Sequence, residues 1–342
     1  MAERDLTRTP GFSRQWCREG SGRVGLALLV VVSVVLVSLS LGKVVLTPAA
    51  LWAAWGAPST PAGMIVTELR LPRIVLAALV GGALGLSGWL LQQVMRNPLA
   101  SPDIIGVTSG ASAAAVGYMA LLGAGSGMQW LPVAAVAGAI ATALGIYRLA
   151  WQGGVTPIRL VLMGIGASAT LGALTMLALV LSPLTTTLSA YVWLTGSVYG
   201  AHWGTVRTLA GCCALLLMVL VPLMRHVPLA PLNDALATGL GVRVQRLRAM
   251  VLALAATLAG VAIAWGGAFA FVGLVAPHLA RLVCRRPGLS QGVLAVLIGS
   301  TLVMLADLLG RTLFLPLDLP AGIFVAAIGA PFFLGLLLRE VR

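Results

Sequence analysis

Apolar residues in this chain run in long unbroken blocks separated by short polar turns, with no sustained alternation of the kind that builds a strand. The stretch VGLALLVVVSVVLVSLS at 24–40 sets the pattern. About 20 apolar residues, at a rise of about 1.5 Å each, cross the hydrocarbon core of a bilayer as one helix. Ten blocks fit: 24–42, 71–94, 103–123, 131–150, 158–181, 206–224, 249–270, 272–284, 292–310 and 320–338. The eighth is short and follows a bend rich in Gly266, Gly267, Phe269, Phe271 and Gly273. The pattern predicts an all-α polytopic membrane protein with about ten transmembrane helices. It reads as a segment 1–23 followed by a single unit 24–342 without tandem repeats. Glycines cluster inside the spans, as at Gly81, Gly82, Gly85 and Gly88, and at Gly164, Gly166 and Gly172. Small residues a turn apart let helix backbones approach closely, so packing is the first reading of each.

Composition gives the same solvent. Of 342 residues, 59% are apolar and 9% charged, with a mean hydropathy of +1.02, whereas soluble domains carry roughly 25% charged residues. The net charge of +13 does not form a continuous basic face with interleaved aromatics, so nucleic acid is excluded as a partner. The bases instead follow a topology rule. With both termini cytosolic, seventeen of the twenty-two fall in inner segments and five (Lys43, Arg70, Arg73, Arg207 and Arg311) in outer ones, the bias expected of an N-in, C-in membrane protein. Residues 1–23 are long and mixed in charge, unlike a cleaved secretory signal. Cys17, Cys212, Cys213 and Cys284 show no metal-ligand spacing and read as structural.

Several chemistries are missing. Ion-coupled transporters place an ionisable group within a span. Here Asp307 comes nearest, three residues from the predicted outer end of the ninth span, and His278 lies in the short eighth. The only lysine, Lys43, has no phosphate-loop context, and there is no HExxH, GxSxG or carboxylate cluster. The chain is therefore read as a non-enzyme without a metal site or bound cofactor. Its driving force is expected from another subunit.

Three polar stretches stand out. Glu68-Leu-Arg70-Leu-Pro72-Arg73 lies at the outer mouth of the second span, with two arginines three apart on one expected helix face. The turn from Gln92 to Gly106 carries Arg96, Pro98, Pro102 and Asp103, and Asp103 is expected at the next helix start, where the dipole favours an anion. The inner connection His226–Arg248 is broken by Pro228 and Pro231. Asn233 or Asp234 caps a predicted helix over 234–238, closed by Gly239 and Gly241, with Arg243, Arg246 and Arg248 beyond it.

These segments resemble the permeases of bacterial iron-siderophore and vitamin B12 importers, the FecCD type with the BtuC-like type II fold of ATP-binding-cassette (ABC) importers. The resemblance rests on RLPRIVLAALVGGALGLSGWLLQQVMRNPLASPDIIGVTSGA at 70–111, GAFAFVGLVAPHLARL at 267–282, LADLLGR at 305–311 and LPAGIFVAAIGAPFFLGLLLR at 319–339. It implies a dimer of permeases, identical or paralogous, with two ABC ATPase subunits below that hold ATP and Mg, and a periplasmic substrate-binding protein above. Arg70, Arg73 and Arg311 match the arginines that meet glutamates on the binding protein. Leu232, Asn233, Asp234 and Ala235, with Gly239, Gly241 and Arg243, match the segment that couples to the ATPase, where Leu-Asn-Asp replaces the family's usual Leu-Gly-Asp. Val155, Thr156 and Pro157 match the cytosolic gate. The implied cargo is a ferric siderophore; vitamin B12 or haem is the alternative, then an ion-coupled transporter, then a membrane enzyme.

Overall fold

One long helix exposes Leu162 at 62%, Ile165 at 55%, Leu174 at 54% and Val180 at 75% of their surface. A water-soluble monomer does not tolerate apolar faces of that extent, and in lipid they are the ordinary exterior. The computed structural model describes residues 8–9, 12–13, 18–122, 127–284 and 288–340. Cys17, Arg285 and Arg286 lie outside the described residues, as does most of the segment 1–23.

The helices are α1 (Arg18–Ser40), α2 (Pro48–Gly56), α3 (Pro61–Met95), α4 (Val107–Leu121), α5 (Leu131–Leu149), α6 (Pro157–Leu181), α7 (Leu184–Thr195), α8 (Trp203–Leu223), α9 (Asp234–Gly239), α10 (Val244–Gly266), α11 (Val272–Val283), α12 (Leu289–Thr312) and α13 (Ala321–Glu340). Ahead of them Arg8–Thr9 pairs antiparallel with Phe12–Ser13. All ten predicted spans have a helix. Seven are long and apolar enough to cross a bilayer, and α4, α11 and the apolar part of α13 are shorter. Two short helices, α2 and α7, were not predicted. The third span also starts later than predicted, at Val107, because Pro102 and a left-handed Gly106 (φ 82°) hold residues 102–106 in turns.

The centre of the bundle is α3, buried along most of its length, with α10 and α12 beside it; α1, α5, α6 and α8 are mostly exposed. α3 packs on α8, α10, α11 and α12, while α6 touches mainly α4 and α5. Glycine makes the central contacts possible. A Cβ on Gly81 would lie 2.2 Å from the Gly299 carbonyl oxygen, and one on Gly88 only 1.7 Å from that of Gly273. Gly166 and Gly172 of α6 meet nothing within 4 Å, so the packing reading holds for the α3 glycines and not for these two.

Cross-connections sort the loops into two ends. Arg281 donates to the Pro98 carbonyl, Arg96 to that of Ala230 and Arg248 to that of Val155. At the opposite end Arg311 reaches Leu41, Arg73 reaches Asp318 and the Trp203 indole reaches the Thr67 carbonyl.

Candidate functional site

Both ends carry polar clusters, and at each the sequence shows only half of the contacts. At the Arg73 end, α3 passes through a π-type stretch, Ile65–Arg70. At its end and just beyond, Arg70 and Arg73, three residues apart, reach different partners. Arg70 is buried (7% exposed) and donates to the carbonyls of Leu39, Ser40 and Val44. Arg311 donates to the carbonyls of Ser38 and Leu41. The last carbonyls of α1 have no intrahelical partner, and α1 brings no base of its own in its last turn. Two arginines from other helices supply the donors, where cations also suit the helix dipole.

Arg73 binds two carboxylates at once. Its Nε donates to Asp307 Oδ1 at 2.9 Å and Oδ2 at 3.1 Å, while its two terminal nitrogens form a fork on Asp318 at 2.7 and 2.8 Å. The Tyr199 ring lies 5.6 Å from the guanidinium carbon. Asp307 also faces Arg311 Nε at 3.6 Å. The span acid nearest to an ion relay is thus engaged by two guanidiniums. Asp318 sits in the α12–α13 connection, and its hydrogen bonds from Arg73 hold its carboxyl below the usual carboxylate range. Arg70, Arg73 and Arg311 lie at one end, each guanidinium already bonded inside the chain.

At the opposite end, Asn233 caps α9 by accepting from the Ala235 N–H at 3.2 Å, and Gly241 takes a left-handed φ of 81° just past its end. The helix predicted over 234–238 is therefore present, with Leu232, Asn233, Asp234, Ala235, Gly239 and Gly241 in and around it. Asp234 takes donors from Arg96 and, at 3.3 Å, from Arg248. Arg243 is exposed on the turn before α10. Val155 is fully buried, Thr156 is exposed, and Pro157 opens α6.

Asp103 corrects another expectation. Its carboxylate accepts from Thr108 Oγ1 at 2.6 Å and from the Phe271 N–H at 3.3 Å, so it ties the start of α4 to the start of α11 instead of only capping its own helix. Phe271 itself is left-handed (φ 64°) and packs on Gly329 and Phe333. His278 lies edge-on to Phe332 at 5.5 Å. The residues that sequence reasoning missed are Asp318, Gln245 and the burial of Arg248. An acid directly before LPAG was the available signal for the first; for the other two a polar residue on an otherwise apolar face of α10 was the only one.

An apolar helical bundle of this size, with its charged clusters at the two ends, is a multi-pass membrane protein. The chain belongs to the FecCD transport family, which matches residues 28–339. It is 59% identical over 330 residues to the achromobactin transport system permease protein CbrC of Dickeya dadantii (strain 3937), covering 96% of this chain and 95% of that one. It is 38% identical over 281 residues to the ferric enterobactin transport system permease protein FepG of Escherichia coli (strain K12), covering 82% and 84%. A solved inward-facing structure assigned to the metal-chelate type of ABC transporter superposes with a TM-score of 0.81 at 28% identity, over 94% of this chain and 99% of that one.

Proposed function

We propose that this chain is the permease subunit of an ABC importer that moves a ferric siderophore inward across the bacterial inner membrane, with both termini cytosolic. The observation that carries the reading is α9: a capped helix outside the bundle, tied to α3 and α10 by Asp234, at the end where bases concentrate. Such a helix gives a cytosolic ATPase something rigid to push. Two ATPases binding ATP and Mg, a second permease and a periplasmic binding protein complete the assembly. The siderophore assignment draws its support from relatives named for achromobactin and ferric enterobactin transport. Vitamin B12 or haem is the second reading, because the motifs at the mouth do not encode the ligand.

Binding-protein docking at Arg70, Arg73 and Arg311 fits guanidinium forks meeting carboxylates, and Arg73 already makes that contact with Asp318. Reversing the charge of Arg70 and Arg73 together would also break internal contacts, so it confounds docking with folding. Arg73→Lys keeps the charge and loses the fork. Arg73→Lys and Asp318→Asn both break the internal fork, so docking through Arg73 predicts that the lysine variant weakens affinity of the purified assembly for its binding protein more than the asparagine variant does. Unchanged affinity would remove Arg73 from the docking face. For cargo, uptake of radiolabelled ferric chelates by a deletion strain carrying this gene decides: uptake of cobalamin and of no ferric chelate would overturn the siderophore assignment.

A further inference from the structure

The contacts around Arg248 join two segments that the sequence treats separately. Arg248 lies in the first turns of α10 and is only 4% exposed. Its Nη1 donates to the Val155 carbonyl at 2.5 Å, and its Nη2 faces Asp234 Oδ1 of α9 at 3.3 Å. Gln245, three residues earlier and so on the same face of α10, accepts from the Val155 N–H at 3.1 Å. Both backbone polar groups of Val155 are thereby held by α10. On either side, Gly153 takes a φ of 65°, and Thr156 is an extended residue without a side-chain cap, followed at once by the first turn of α6.

We infer that Arg248 is the positioning residue that passes displacement of α9 to the Val155–Pro157 segment and α6, so that it sets how tightly ATP hydrolysis is coupled to transport. This rests on reading α9 as the ATPase contact and 155–157 as the gate. The mechanical argument comes from what can yield. Arg96 ties Asp234 to α3 as well, but α3 is locked to α11 and α12 by backbone contacts at Gly81, Gly85 and Gly88. α6 makes one such approach, Gly164 against the backbone of Ile104 and Ile105 in the turns before α4, while its Gly166 and Gly172 meet nothing within 4 Å. It is mostly exposed and packs mainly on α4 and α5. A small crevice, about the size of one water, lies beneath α9, lined by Val94, Ala237, Val242 and Leu247. Force entering at Asp234 meets a fixed column on one side and a movable helix on the other, and Arg248 is the residue that touches both α9 and the approach to that movable helix.

The test uses the full assembly with its two ATPases in liposomes, reading ATP hydrolysis and ferric-chelate uptake on the same preparation. Arg248→Gln keeps a donor for the Val155 carbonyl but loses the charge and the reach to Asp234. It is expected to leave hydrolysis within about twofold of wild type and to lower chelate moved per ATP about tenfold, a coupling change of ordinary size between sites. Arg248→Lys, which restores the charge without the fork, is expected to recover part of the ratio. Gln245→Ala loosens the other side of Val155 and is expected to lower the ratio less. A residue that merely satisfies a buried carbonyl would lower abundance, hydrolysis and uptake together; that result, or an unchanged ratio in Arg248→Gln, overturns the inference. The underlying reading fails separately: Leu236→Asp on the exposed face of α9 should weaken retention of the ATPases, and full retention with normal uptake would mean that α9 is not their contact, whatever Arg248 does.

Discussion

Gly88→Ala adds one methyl group at one of the two tightest approaches among the described glycines. The new carbon would sit 1.7 Å from the Gly273 carbonyl oxygen, 2.5 Å from its carbonyl carbon and 2.8 Å from its Cα, against an ordinary contact of 3.4 Å or more. Every obstructing atom is backbone, so no side chain can rotate away. α3 and α11 must separate locally by about 1.7 Å, the difference between those two distances. Because α3 is enclosed by α8, α10, α11 and α12, it cannot retreat without opening a gap elsewhere. Overpacking of this kind costs about 1–3 kcal/mol when neighbours adjust, and here the cost belongs at the top of that range. Purified in detergent, the variant should unfold roughly 5 °C or more below wild type. Gly172→Ala is the control: nothing lies within 4 Å of its added carbon, and alanine favours helix over glycine, so its midpoint should equal or exceed wild type. Equal losses in the two variants would refute the claim that the α3 glycines are there for backbone approach.

Three further outcomes are expected. Asp307→Asn leaves Arg73 and Arg311 short of a carboxylate at a site only 3% exposed and should cost about 3–5 kcal/mol, whereas Asp234→Asn, at 47% exposure, should cost about 0–1 kcal/mol; comparing thermal midpoints checks the order. Asn233→Ala removes the α9 cap and should cost that helix about 1 kcal/mol, seen as faster amide exchange at Ala235–Ala237. Arg73 holds the Asp318 pKa below its ordinary 3.8, so the stability from this pair is fully present above the unfolded value and is lost only as pH falls through the lower folded one. Stability of the Arg73 end should therefore stay flat between about pH 5 and pH 8 on this group's account, and an Asp318→Asn variant that abolishes a midpoint inside that window would contradict the pairing.

Much of the fold was legible because lipid imposes a simple rule. A span must be long, apolar and helical, and ten blocks met that description to within a few residues at most ends. The helices that escaped do not obey the rule. α2 has nine residues, and α7 opens Leu-Thr-Thr-Thr, a polar start that reads as loop. What composition could not reveal is which charge faces which. Arg73 and Asp318 are 245 positions apart, Asp103 and Phe271 are 168 apart, and neither pair leaves a periodic trace. Arg248 looks like one more base in a cytosolic loop until its helix is placed beside Val155. Arg70, Arg73 and Arg311 show the opposite limit: their residue types and spacing drew attention to a real cluster, but not to the carbonyls at the end of α1 or to Asp307 and Asp318, which they already hold.

The most direct test of the transport reading is accumulation by the purified chain in liposomes, alone and then with its ATPases. Concentrative uptake of ferric chelate is expected only when both ATPases and hydrolysable ATP are present, and it should survive an uncoupler. Accumulation against a gradient by this chain alone, abolished by the uncoupler, would contradict it.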